Sequence, residues 1–161
     1  NNYMQYRYSL QADYIETRST NCGNNITFLL ELLDKENIAC NHIILSQDAT
    51  MQYRMEMGMR KYRPNLNIIN FATYRAAVRE KNGTLYYTSD ILGMWDMERY
   101  ISLLLGEIPR LKDDENGYGP KGKNFIAHVD IPRDVMAAFE ELKRNYPQLV
   151  RAANPEFANG R

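Results

Sequence analysis

Three stretches of this sequence concentrate side chains able to do chemistry. The first, Ser19-Thr20-Asn21-Cys22-Gly23, offers hydroxyl, amide and thiol groups directly before a helical apolar pattern. A helix start presents backbone N–H groups and a positive dipole end, which favour an anion such as phosphate or carboxylate. The same short polar side chains also serve as plain N-caps, and residue type alone leaves both roles open. Cys22 has two readings as well: a thiolate activated by that helix end, or an inert thiol with no histidine or second cysteine near it in sequence.

The second stretch places Gln47, Asp48 and Thr50 after a short apolar run, with Arg54 in the pattern that follows. Asp48 suits acceptance of hydrogen bonds from ribose hydroxyls or an amino group, and equally suits a helix cap. Arg54 suits bidentate pairing with a ligand carboxylate, or a solvated place on a helix face. The third stretch, residues 107–123, sets Arg110, Asp113, Asp114 and Tyr118 among glycines and prolines. A long loop in a compact domain is usually functional. It is therefore expected to pack over strand ends through Arg110, Asp113 and Tyr118, with Tyr118 stacking on a ligand base or covering a pocket. Asp113-Asp114 adjoins Lys112, and no third carboxylate stands at clear ligand spacing, so no metal site is expected. His128, on a short apolar run, reads as a satisfied core histidine.

The elements that must position these groups follow from periodicity. Residues 3–10 suit the end of a helix and 13–17 a short strand. Ile26, Leu29, Leu30 and Leu33 recur at i, i+3, i+4, i+7, one apolar helix face. His42-Ile43-Ile44-Leu45, within 41–46, reads as a strand buried on both faces of a parallel sheet. A helix over 51–62, capped by Asp48, is closed by Pro64, which disfavours α geometry in the residue before it. A strand is expected at 66–71. Asn82-Gly83 marks a tight turn before a strand at 85–88. Met94, Met97, Ile101, Leu104 and Leu105 line a third helix, which the 107–123 loop follows. A last strand is expected at 125–129. Pro132 opens a final helix that buries Val135, Phe139, Leu142 and Tyr146 and ends at Pro147, leaving 155–161 as a tail. Strand–helix alternation over 13–71 argues a parallel βαβ arrangement in one α/β domain spanning 1–161. The first strand of a doubly wound sheet is normally followed by a glycine-rich turn. None precedes Asp13, and the chain opens Asn1-Asn2 rather than with Met, so an N-terminal segment of the same protein is expected to be absent.

Composition bounds the function classes. The chain has 161 residues, 44% hydrophobic and 25% charged, enough for a core. Its formal net charge is zero, so it lacks the positive field used on nucleic acid or anionic membranes. No apolar run approaches bilayer length. Two cysteines, eight methionines and two histidines suggest a reducing, cytoplasmic setting and no zinc site.

Taken together, Glu16-Thr17-Arg18-Ser19-Thr20-Asn21-Cys22-Gly23, Gln47-Asp48-Ala49-Thr50-Met51-Gln52-Tyr53-Arg54 and the long run from Gly106-Glu107-Ile108-Pro109-Arg110-Leu111 to Gly119-Pro120-Lys121-Gly122 resemble the bacterial SanA/ElyC/YdcF family, its YdcF branch in particular. The resemblance extends over about residues 14–146. It implies a Rossmann-like three-layer sandwich with a mostly parallel sheet, and S-adenosylmethionine as the bound ligand. Many members carry Ser-x-Asn-Thr-x-Glu-Asn where this chain has Ser19-Thr20-Asn21-Cys22-Gly23-Asn24-Asn25, so Cys22 replaces a Thr and Asn24 a Glu. Any catalytic role of that Glu is absent here. The leading expectation is a protein that binds S-adenosylmethionine or a similar nucleotide-type molecule at the carboxyl ends of its strands. The alternatives are an enzyme acting on a phosphorylated or nucleotide-like metabolite with an envelope-related role, and a non-catalytic interaction domain.

Overall fold

The computed structural model describes residues 2–150. The expected tail at 155–161 lies outside the described residues. The chain divides into two compact units, Asn1–Ala39 and Cys40–Arg161.

The first unit holds α1 (Asn2–Tyr8) and α2 (Cys22–Lys35). Asn21, in extended geometry, caps α2. Its Oδ1 accepts from the Asn24 N–H at 3.0 Å, and the Asn24 Oδ1 accepts from the Asn21 N–H at 3.0 Å. This reciprocal pair is a capping box, with Asn24 in the place usually held by Glu or Gln. At the other end Asn37 takes φ 54°. The Ile38 N–H then reaches the Leu33 carbonyl (2.8 Å) and the Asn37 N–H that of Asp34 (3.2 Å), a Schellman closure. Ile26 is buried, and Leu29, Leu30 and Leu33 are half-buried. The strand expected at 13–17 does not form. A strand needs lateral backbone partners, whatever its propensity. Here the Glu16 carboxylate takes the Arg18 and Ser19 N–H groups and turns the chain instead.

The second unit is built on a parallel pair, β1 (His42–Gln47) and β2 (Asn67–Ala72), joined through α3 (Gln52–Tyr62). Leu45 lies opposite Asn70 and Gln47 opposite Ala72. Met55, Gly58 and Met59 of α3 are buried, as are Leu45 and Leu66. The opposite sheet face carries Ile44, Ile69 and Phe71, all exposed. The expected burial of the first strand on both faces is therefore corrected: one helix covers one face. A separate antiparallel hairpin pairs β3 (Val78–Lys81) with β4 (Thr84–Tyr87). Asn82 and Gly83, both at positive φ, form its two-residue turn.

Helix α4 (Met97–Leu111) packs on α5 (Arg133–Asn145) around Ile101, Leu105 and Phe139, and a 3-10 turn (Pro147–Leu149) follows. Met136, not the expected Val135, joins Leu142 and Tyr146 on that core, and Val135, in the first turn of α5, is left exposed. Residues 107–111, expected as loop, continue α4 despite Pro109. Ile108 and Leu111 extend its buried stripe, which outweighs the one N–H that proline lacks.

Residues 112–124 form a tight, internally bonded loop. The Asp114 carboxylate accepts from the Asn116 and Gly117 N–H groups, and Asp113 from that of Lys121. A Cβ on Gly117 would stand 1.9 Å from the Lys112 carbonyl oxygen, so only glycine fits there. The strand expected at 125–129 is corrected too. Phe125 and Ile126 donate to the Tyr118 carbonyl, and Ala127 to that of Met57 on α3. These partners are a loop and a helix, so no ladder forms, yet Ile126 and Val129 still bury against Leu111.

Candidate functional site

The most organised polar group in the second unit lies where β1 ends. Gln47 closes the strand, and its Oε1 accepts from the Asp48 N–H at 2.8 Å. Asp48 was expected to cap α3, but the helix starts later, with Met51 at its N-cap and no side-chain cap bond. The Asp48 Oδ1 accepts instead from the Thr50 N–H (2.9 Å), the Thr50 hydroxyl (2.6 Å) and the Tyr74 phenol (2.9 Å). Its Oδ2 accepts from the Trp95 indole N–H at 2.7 Å. Tyr74 follows β2, and Trp95 immediately precedes Asp96, the cap of α4.

The electrostatics follow from this geometry. Partial burial pushes the Asp48 carboxyl up, but the Thr50, Trp95 and Tyr74 donors outweigh it and hold the group below the usual carboxylate range. Burial, then the bond to Asp48 and its charge, push the Tyr74 phenol strongly up. The Tyr100 phenol is raised by burial and then by Asp48. Tyr87, which meets Tyr100 edge to face at 5.6 Å, donates to the Trp95 carbonyl at 2.9 Å. Arg99 lies 5.6 Å from the Trp95 ring centre. The result is a fixed anion among aromatic rings. Its Oδ1 is filled, while Oδ2 keeps acceptor capacity for a hydroxyl or ammonium.

Arg54 lies one turn into α3, and it is neither solvated nor isolated. Its Nε meets the Glu107 Oε2 at 2.5 Å and its Nη2 the Glu107 Oε1 at 3.0 Å, a bidentate pair. The two side chains are only 12% and 8% exposed. Two donors of the fork expected for a ligand carboxylate are thus given to a carboxylate of the same unit. Gln52, at the first position of α3, is buried. Its amide N–H groups go to the Leu45 carbonyl (2.8 Å) and the Asn70 Oδ1 (2.7 Å). Asn70 is oriented in turn by donating to the acceptor-only Glu56. The Gln52 Oε1 is left buried with no hydrogen-bond partner among the described residues.

The loop expected to close over the strand ends turns inward. Arg110 donates to the Gly106 carbonyl of its own helix. Tyr118 meets Phe125 edge to face at 5.2 Å and packs on Leu111, Ile126 and Val129, so it is core rather than a stacking platform. Asp113 bonds within the loop and to His128. His128 is half-exposed, not a core histidine. Glu107, one turn back in α4, reaches the 47–54 stretch through Arg54.

In the first unit Ser19, Thr20, Asn21, Cys22 and Gly23 stand as a capping loop. The Ser19 N–H is taken by Glu16, and those of Thr20 and Asn21 by Asn24. Cys22 occupies the first position of α2 and is half-buried. The donors that would meet an anion are largely engaged by the cap.

Tyr74, Trp95 and Glu107 were not foreseen as site residues. Each comes from a part of the chain far from position 48 or 54, and no local spacing marks them. The lone tryptophan of the sequence was the one available signal. Among the described residues no group of three His, Cys, Asp or Glu side chains could hold a metal ion, and no helix is long and apolar enough to cross a membrane. The fold defines a mixed α/β protein with a small parallel sheet. No family model matches the chain.

Proposed function

We propose that this chain binds a nucleotide-type small molecule, S-adenosylmethionine foremost, at the carboxyl ends of β1 and β2. The observation that carries the reading is Asp48: a carboxylate fixed at the end of a parallel strand by Thr50, Tyr74 and Trp95. Ligands of open α/β sheets bind outside the carboxyl ends of strands. The open Oδ2 position suits a ribose hydroxyl or the amino group of the ligand. The Trp95 face suits an adenine ring or a sulfonium, through stacking and cation–π attraction. We extend the proposal to the fold, a Rossmann-like three-layer sandwich of the YdcF branch. Its support is the parallel β1–α3–β2 unit together with the apolar outer face of Ile44, Ile69 and Phe71, because parallel sheets are stable with both faces covered.

The test is a thermal-shift screen followed by titration calorimetry with S-adenosylmethionine, its demethylated product and common nucleotides. Saturable binding of the first, quenching Trp95 fluorescence and lost in Asp48→Asn, is the expected result. Absence of stabilisation by any of these compounds would sink the reading and leave a domain without a nucleotide site.

A further inference from the structure

Arg54 and Arg110, the two arginines expected to meet a ligand anion, turn donors to Glu107 and to the Gly106 carbonyl. Arg99 does not. It lies in the first turn of α4 and is exposed, and its guanidinium sits over the Trp95 ring, 5.6 Å from the ring centre. Its backbone N–H goes to the cap carboxylate of Asp96. Its side chain has no hydrogen bond or ion pair among the described residues. An aromatic face attracts a cation through its quadrupole, and this leaves the planar fork of N–H donors for a carboxylate. The same indole meets Asp48 at its edge, where Nε1 donates to Oδ2 at 2.7 Å. One ring thus carries an anion at its N–H edge and a cation over its face. Both are anchored: Thr50 and Tyr74 hold Asp48, and the Tyr87 hydroxyl holds the Trp95 carbonyl at 2.9 Å.

We propose that Asp48 and Arg99 together recognise the α-amino-acid head group of the ligand, Asp48 taking the ammonium at Oδ2 and Arg99 the carboxylate. The inference rests on the reading of Asp48 as a ligand-binding group, and it names which end of the ligand that group reads. An α-amino acid carries opposite charges on one carbon, and here two opposite charges flank one ring. A ribose would offer Asp48 neutral hydroxyls and leave Arg99 unused. A phosphate would suit Arg99 but meet Asp48 as a like charge. The zwitterion alone gives both groups a charge-assisted hydrogen bond, about twice as strong as a neutral one. The ligand class is therefore an amino-acid conjugate, and for S-adenosylmethionine Asp48 takes the amino group rather than the ribose.

The experiment is a titration of the full chain, read by Trp95 fluorescence and calorimetry, with three probes. S-adenosylmethionine carries nucleoside and head group, methylthioadenosine the nucleoside alone, and L-methionine the head group alone. The variant is Arg99→Gln, at an exposed position. Its affinity for S-adenosylmethionine should fall by about tenfold or more, the loss of one charge-assisted pair. Its affinity for methylthioadenosine should not change. The sign is diagnostic: S-adenosylmethionine has a net positive charge, so a guanidinium that merely stood nearby would repel it, and removing that charge would tighten binding. Unchanged or tighter binding of S-adenosylmethionine in Arg99→Gln overturns the proposal and leaves the nucleotide reading standing. Equal losses for S-adenosylmethionine and methylthioadenosine also overturn it, since the effect is then not on the head group. Saturable L-methionine binding that is lost in Arg99→Gln, with no response to either nucleoside, upholds the head-group assignment and sinks the nucleotide reading. Absence of binding by both S-adenosylmethionine and L-methionine overturns the proposal outright.

Discussion

Two chain segments lead into helices with nearly the same vocabulary, and they end differently. Before α2, Asn21 turns its side chain onto the helix and Asn24 answers it, so the loop satisfies itself within four residues. Before α3, Asp48 turns away from the helix it precedes and is held by Thr50 next to it and by Tyr74 and Trp95 from far along the chain. A cap made locally leaves little for a ligand to bind. A carboxylate held open by distant aromatic donors is costly to build and is the kind of group a site uses. The comparison favours the end of β1 over the start of α2 as the functional locus.

The largest expected effect tests what supports the second locus. Glu107→Ala strands the Arg54 guanidinium in a nearly buried place, and removing one partner of such a pair costs about 3–5 kcal/mol. Urea unfolding should show that loss in Glu107→Ala and a similar one in Arg54→Ala. The double replacement Arg54→Met with Glu107→Leu should be less destabilised than either. Equal, small losses in all three would make the pair a surface contact and return Arg54 to the ligand.

Next comes Asp48 itself. Asp48→Ala leaves the Tyr74 hydroxyl and Trp95 indole N–H without their acceptor, and bonds to a charged group contribute about 1.5–3 kcal/mol each. Because the folded value of Asp48 is lowered, its stabilisation is complete above the unfolded value and lost as pH falls through the folded one. Thermal unfolding between neutral and acid pH should therefore decline less in Asp48→Asn than in wild type. Parallel declines would mean the carboxylate is not held as described.

The smallest effects belong to the first locus. Asn21→Ala should cost about 1 kcal/mol, the usual cap value. Asn24→Glu restores the residue common in the resembled family, and Glu at that position completes a capping box just as well. Its melting temperature should match wild type, and ligand binding should not change. A gain of activity or binding in Asn24→Glu would overturn the distinction between the two loops.

Local physics made much of this protein legible in its sequence. The i, i+3, i+4 pattern marked α2, Asn82-Gly83 marked the hairpin turn, and Pro64 and Pro147 marked helix ends, because each depends on a few neighbouring residues. The short polar residues at 19–21 also marked the start of α2, where Asn21 is the cap. What the sequence could not decide was partnership at a distance. Residues 13–17 and 125–129 have strand composition but no lateral neighbour to complete a ladder, so neither becomes a strand. Asp48 has cap chemistry, yet stronger donors from Tyr74 and Trp95 draw its carboxylate elsewhere. Arg54 looks like a solvated charge until α4 brings Glu107 within 2.5 Å. Hydrogen bonds and ion pairs carry no sequence period, so only the tertiary structure assigns them.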